Sequence, residues 1–251
     1  MKRTLKVLSA LLSYPTAALQ AAVPELRAAL DAEGRLPQKN RDRLDRLLEE
    51  IATRDLYDLQ EGYVLLFDRT RSLSLNLFEH VHGESRDRGQ AMVDLMALYE
   101  RHGLATRTGE LPDHLPLFLE FLSQISEAEA RELLTDTSHV LEAIRQRLKK
   151  RKSAYSSAFS CAQALAQTKP QAEIVAVLLD EPDEDPNDLA AVDAAWEAEE
   201  VTFGPAAAAA AQCGKDGLAA KLRAARRPAP GTPKPEPVRP VITYSSVNRR
   251  A

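Results

Sequence analysis

In the first 180 residues the apolar side chains recur at i, i+3, i+4 and i+7, and no convincing stretch alternates apolar with polar as a half-buried strand would. That spacing puts each apolar set on one face of a helix, so the chain has to hide several helical stripes against one another. Leu44, Leu47, Leu48 and Ile51 form one stripe, and Leu59, Tyr63, Leu66 and Phe67 a second behind a cap at Asp55. Met92, Leu95, Met96 and Tyr99 mark a third helix that stops near Gly103. Ser126 with Glu129 has the spacing of a capping box. Val140, Leu141, Ile144 and Leu148 follow it, then Tyr155, Phe159, Ala162 and Leu165. Leu and Ala outnumber the β-branched residues, which points the same way. The expected fold is all-α, a single helical bundle.

At the start, Lys2 and Arg3 precede Leu5, Val7, Leu8, Leu11 and Leu12, an arrangement shared by secretory signals. Lys6 and Ser9 interrupt the apolar run and no clear cleavage motif precedes Pro24, so an amphipathic first helix ending before Pro15 is the favoured reading. No apolar run approaches the roughly 20 residues that span a bilayer, and stable membrane insertion is not expected. Asp180 to Asp188, with Pro182 and Pro186, reads as an acidic surface loop leading to a short segment around Trp196. Three regions are expected: a helical domain over 1–203, an Ala-rich and basic extension with helix propensity over 204–227, and a disordered tail over 228–251. Six prolines between Pro228 and Pro240 exclude helix and sheet interior there.

The net charge of −4 conceals an asymmetry. From Lys221 onward eight basic residues face one acid, a charge of +7, while the first 220 residues carry 25 basic and 36 acidic groups, a charge of −11. A body so acidic is a poor general binder of nucleic acid, whose phosphates need basic surface. The run Arg145 to Lys152, with six Lys or Arg in eight residues, reads as the solvated end of a helix, where cations complement the dipole. Neither GxxxxGK[ST] nor GxGxxG occurs. Cys161 and Cys213 make neither a ligand pair nor a disulfide framework and fit a reducing cytoplasm.

Two segments are rich enough to carry chemistry. In Phe78-Glu79-His80-Val81-His82-Gly83-Glu84-Ser85-Arg86-Asp87-Arg88-Gly89, two histidines and two glutamates invite a metal reading, and with it a metal-dependent hydrolase using His80 and His82. HExxH is absent, and on a helix the two rings would diverge by about 200°. The alternative is an interhelix connection, with Gly83 as the turn, Ser85 as N-cap, Asp87 in the first turn, and Arg86 and Arg88 paired with Glu79 and Glu84. In Glu110-Leu111-Pro112-Asp113-His114-Leu115-Pro116-Leu117-Phe118, Asp113 is placed as an N-cap and Pro116 in a first helical turn. Asp113 beside His114 resembles an acid–base pair, but no activated Ser or Cys accompanies it. No catalytic residue, metal ligand or cofactor is assigned.

Together these segments resemble the signature regions of the NarJ family, within the wider TorD/DmsD group of molybdoenzyme chaperones. Tyr63-Val64-Leu65-Leu66-Phe67-Asp68-Arg69 and the run from Leu77 through Leu95 carry the likeness, and Glu110 to Pro116 resembles the family's Glu–Pro–Asp–His hinge. Trp196 to Phe203 is a weaker echo, and the likeness covers about residues 1–203. It implies a cytoplasmic, non-catalytic chaperone that binds the N-terminal segment of the respiratory nitrate reductase catalytic (alpha) subunit. The apo subunit would be held until molybdenum cofactor insertion, and the complex would then dock on its membrane subunit. Molybdenum cofactor delivery proteins are further candidate partners, and a related molybdoenzyme is the alternative client. By the same likeness Tyr63, Phe67, Phe78, His80, His82, Asp113, His114 and Phe118 are candidates around the peptide site; Tyr63, Phe67 and Phe118 also fit core stripes.

Because residues 228–251 are rich in proline and carry few large apolar side chains, a chain ending after Arg227 is expected to melt within about two degrees of the full chain. Scanning calorimetry of the two forms checks this, and a large loss would mean that the tail packs on the domain.

Overall fold

The structure is a computed structural model that describes residues 1–83, 85–105 and 109–180. The Trp196 segment, the boundary near Phe203, the extension over 204–227 and the tail over 228–251 lie outside the described residues. Ten α-helices follow in order: α1 Lys2–Leu11, α2 Ala17–Glu33, α3 Gln38–Thr53, α4 Leu56–Phe67, α5 Glu79–His82, α6 Arg86–Arg101, α7 Leu115–Gln124, α8 Glu127–Lys150, α9 Ser156–Leu165 and α10 Ala172–Leu179. A 3-10 turn, Arg71–Leu73, follows α4. Among the described residues the only extended pairing is an isolated antiparallel bridge between Asn76 and His114.

The apolar stripes become the core. Leu44, Leu47, Leu48 and Ile51 of α3 are buried, as are Val140, Leu141, Ile144 and Leu148 of α8 and Tyr155, Phe159, Ala162 and Leu165 around α9. α6 departs from expectation, because its buried face runs through Ala91, Asp94, Leu95, Leu98 and Tyr99, leaving Met96 exposed. The expected stripe is a single face, but the face that α6 buries is rotated from it about the helix axis. Asp55 caps α4 by accepting from Tyr57 N at 2.8 Å, Ser85 caps α6 from Asp87 N at 3.2 Å, and Ser126 caps α8 from Glu129 N at 3.3 Å. Glu129 turns its carboxylate to His102 Nε2, 2.9 Å away, instead of back to the cap.

α7 is the centre of the bundle: from Leu115 to Ser123 every residue is buried. α1 packs along it, α2 and α3 extend from α1, α9 packs on α1, α3 and α8, and α10 rests on α8. Several of the polar atoms caught inside have partners. Ser9 Oγ donates to Pro116 O at 2.7 Å, and Glu120 meets Lys6 Nζ at 3.6 Å. The guanidinium of Arg147, 3% exposed, donates to Ser72 O and Leu178 O at 2.9 and 2.7 Å. It thereby ties the 3-10 turn and α10 to α8, and a buried cation so placed is costly to disrupt.

The first turn of α1 is held by Glu33, at the end of α2. Its carboxylate accepts from Arg3 N at 3.0 Å and from Thr4 N and Thr4 Oγ1 at 2.8 and 2.6 Å, and it meets the Met1 amino group at 2.7 Å. Burial pushes this carboxyl up, but those hydrogen bonds outweigh it and hold the pKa at about 2, below the ordinary 4.5. A depressed folded-state pKa gives stability that is present above pH 4.5 and lost as the pH falls toward 2. Glu33→Gln should therefore cost about 0.5–2 kcal/mol at neutral pH, the usual worth of a helix cap, and flatten the acid limb of the stability curve. Urea titrations from neutral to acid pH check both effects; an unchanged acid limb would count against the cap.

Candidate functional site

The two signature segments meet. Leu77 N donates to Asp113 O at 3.1 Å and Leu115 N donates to Leu75 O at 2.8 Å, on either side of the Asn76–His114 bridge. The physical cause is the buried start of α7. A helix N-terminus leaves its first N–H groups without intrahelical partners, and here water cannot reach them. Leu115 N is satisfied across the chain by Leu75 O, His114 N by Leu111 O, and Pro116 has no N–H to satisfy. Tyr99 Oη donates to Pro112 O at 2.6 Å and closes the same corner from α6.

Asp113 does not cap α7 as the sequence suggested; His114 occupies the N-cap position. The Asp113 carboxylate reaches across instead and accepts from Phe78 N at 2.9 Å, at the start of α5. Its Oδ1 is buried without a hydrogen-bond partner among the described residues, and the side chain is 0% exposed. Burial raises its pKa to about 6, against the Phe78 N–H and the nearby Arg88 charge, which lower it. Around it, Arg88 Nη2 pairs with Glu79 at 2.9 Å. Burial pushes Glu79 up, but hydrogen bonds from Ser74, Asn76 and Arg88 and the Arg88 charge leave it lowered. The expected pairing with Glu84 lies outside the described residues. Gly83 has φ of +53°, a conformation that favours glycine, and supplies the turn into α6.

His80 and His82 sit on the single turn of α5. His80 is buried, with Nε2 2.8 Å from Ser74 O, which requires the proton on Nε2. His82 is half-buried, its ring edge-on to Phe78 at 5.8 Å. Among the described residues no group of three or more His, Cys, Asp or Glu side chains could hold a metal ion. The hydrolase reading finds no support here, since His80 is committed to a backbone carbonyl. Asp113 and His114 do not form an acid–base pair either. His114 faces Glu110, 3.9 Å away, and lies near Asp68, while Asp113 faces Phe78. Burial lowers the His114 pKa against the pull of Glu110 and Asp68; burial and Glu110 raise that of Asp68 against His114. Phe118 belongs to the core, 6.5 Å from the Phe121 ring.

Tyr63 and Phe67 are placed elsewhere, on the inner side of α4. Tyr63 Oη donates to Leu12 O at 2.8 Å, and its ring lies 4.9 Å from Phe67 and 5.6 Å from Tyr14. Tyr155 stands edge-on to Phe67 at 5.2 Å and completes an aromatic layer. On the outer side of α4 is an open groove of about 570 Å³ lined by Tyr14, Tyr57, Asp58, Gln60, Glu61, Val64, Leu65 and Arg69. Tyr57 is 80% exposed and Tyr14 47%. Periodicity passed over this groove because it selects the buried stripe. The available signal was a surplus: Tyr57, Val64 and Leu65 are apolar residues that α4 does not need for its core face.

The fold and these sites describe a helical protein with an apolar, acid-flanked groove and a hydrogen-bonded junction. The model of the family described as "Nitrate reductase delta subunit" matches residues 15–160. The chain is 45% identical over 200 residues to the nitrate reductase molybdenum cofactor assembly chaperone NarJ of Escherichia coli K12, covering 79% of this chain and 84% of that protein. Two further relatives are named as probable chaperones of the same kind. NarW of Escherichia coli K12 is 37% identical over 79% of this chain and 83% of its own length, and NarJ of Bacillus subtilis 32% over 61% and 82%. The chain belongs to the nitrate reductase delta subunit family. Among the described residues no helix is long and apolar enough to cross a membrane.

The raised pKa of Asp113 sets a pH test. A folded-state pKa of about 6 against an ordinary 3.8 means that the native state binds more protons, so this group's contribution to stability declines as pH rises from 3.8 to about 6. Asp113→Asn should remove that decline, and Asp113→Ala should cost about 1–3 kcal/mol by orphaning the Phe78 N–H. Denaturant titrations of both variants between pH 4 and 8 check this. An Asn variant that keeps the wild-type decline would show that another group titrates.

Proposed function

We propose that this chain is an assembly chaperone for respiratory nitrate reductase, acting in the cytoplasm on the apo catalytic subunit before that subunit docks at the membrane. It supports molybdenum cofactor insertion into its client and performs no chemistry of its own. The observation that carries this reading is the 45% identity to an assembly chaperone across most of both chains. A client that needs a different molybdoenzyme chaperone would be a different branch of the same activity, and the client peptide used in the test separates the two.

The client's N-terminal segment docks in the outer groove of α4 as an amphipathic helix, its apolar face against Tyr57, Val64 and Leu65. Asp58 and Glu61 on the rim, with the −11 charge of the first 220 residues behind them, draw in basic flanks of the peptide. Tyr63 and Phe67 serve this site from beneath, holding the groove floor against Tyr14 and Tyr155. Phe78, His80, His82, Asp113, His114 and Phe118 serve it at a distance, through the junction that fixes the end of α4 relative to α7. Molybdenum cofactor delivery proteins would meet the complex only after this docking.

Val64→Glu should leave the melting temperature nearly unchanged, since Val64 is only half-buried, and weaken the peptide at least about tenfold, about 1.4 kcal/mol. Titration calorimetry with the client N-terminal peptide and a scrambled control measures it, and a negative heat-capacity change marks apolar burial. In cells the variant should lower nitrate reductase activity without lowering activity per bound molybdenum. Equal affinity for the scrambled peptide would remove the groove, and full cofactor loading with depressed specific activity would remove the chaperone reading.

A further inference from the structure

α10 is unusual in being apolar around its whole circumference, with Glu173 its one charged residue. Such a helix is normally covered on all sides. Here Val175 alone is buried, while Ile174 is 40% exposed and Val177, three residues on, is 62% exposed. The inner side rests on α8, where Arg147 Nη2 donates to Leu178 O at 2.7 Å. That bond fixes the C-terminal end of α10 beside the basic end of α8, on which Lys149 and Lys152 are exposed. An aliphatic face whose C-terminal end lies near the basic end of α8 therefore points outward.

The chain continues directly from this end of α10. Residues 181–203 contain nine acids and no Lys or Arg, and Leu189, Val192 and Trp196 stand at i, i+3 and i+7. We propose that residues 187–203 dock intramolecularly on α10, with Leu189, Val192 and Trp196 against Ile174 and Val177 and their acids toward Lys149 and Lys152. Reach permits it: the six residues 181–186 can extend about 20 Å, more than the roughly 12 Å length of an eight-residue helix. The tether also favours this occupant over a free partner, because a short linker gives a high effective concentration without any new contact. Complementary charge selects the same segment, since the basic extension beyond Lys221 would meet like charge at Lys149 and Lys152. The surface is separate from the α4 groove, so the proposal does not depend on which client the protein serves.

Trp196 is the only tryptophan, so selectively excited tryptophan emission of the full-length chain reports the environment of this one residue. The expected result is blue-shifted emission with weak acrylamide quenching. Val177→Glu should shift emission to the red and raise the quenching constant severalfold, with the helical circular dichroism and melting temperature kept. Lys149→Glu combined with Lys152→Glu should give a smaller shift of the same sign, and high salt should reproduce it in the parent chain. Solvent-like emission in the parent chain, or a Val177→Glu variant with unchanged emission, would overturn the proposal. So would emission that tracks protein concentration together with a doubled sedimentation mass, which would make a second copy the occupant.

Discussion

Much of this architecture follows from enclosing one short helix on every side. α7 runs Leu-Pro-Leu-Phe-Leu-Glu-Phe-Leu-Ser with no polar face to offer to water; every one of these residues is buried, and α1 packs along the helix. The apolar gain on burying so many large side chains is considerable, but burial also strands the N–H groups of the first turn. Proline at the second helical position removes one of them, and the carbonyl of Leu75 takes another. The loop before α5 is thus required by α7, and the antiparallel bridge at Asn76 and His114 is the form that requirement takes.

The same constraint accounts for the polar residues of the junction. Asp113 is drawn into a place without water because it precedes a buried helix start, and there its carboxylate holds Phe78 N and, through it, the beginning of α5. His80 secures the preceding loop at Ser74 O, and the Glu79–Arg88 pair joins α5 to α6. Residues that look like catalytic material in a linear sequence are here spent on backbone atoms and on each other. The Glu79–Arg88 pair and the Tyr99–Pro112 bond set α5 and α6 against the start of α7. The exposed outer side of α4 is different in kind, with aromatic and aliphatic side chains beside carboxylates.

The NarJ-like resemblance and the family match agree, and the bundle was legible for an elementary reason. Helical stripes such as Leu44, Leu47, Leu48 and Ile51 depend only on local periodicity, and the caps at Asp55, Ser85 and Ser126 depend on hydrogen bonds spanning two or three residues. Local rules sufficed for these stripes and caps, although the Glu129 carboxylate turned to His102. They misplaced Met96, because α6 carries apolar residues on more than one face and only its neighbours decide which is covered. They also made Asp113 a cap, because the competing donor, Phe78 N, lies 35 residues away in the chain.

By itself, then, the sequence determined the all-helical class, most of the stripes it named, the acidic balance of the body and the likeness to a chaperone family. Each of these is written in spacing, charge or motif, and needs no knowledge of what packs against what. Only the tertiary structure decided that Tyr63 and Phe67 pack inward while Tyr57 and Val64 line a groove, that two distant segments share one junction, and that Ile174 and Val177 of α10 face away from the described bundle. Those outcomes depend on which helix sides meet and which backbone groups lose water, and both are settled only when the whole bundle closes around α7.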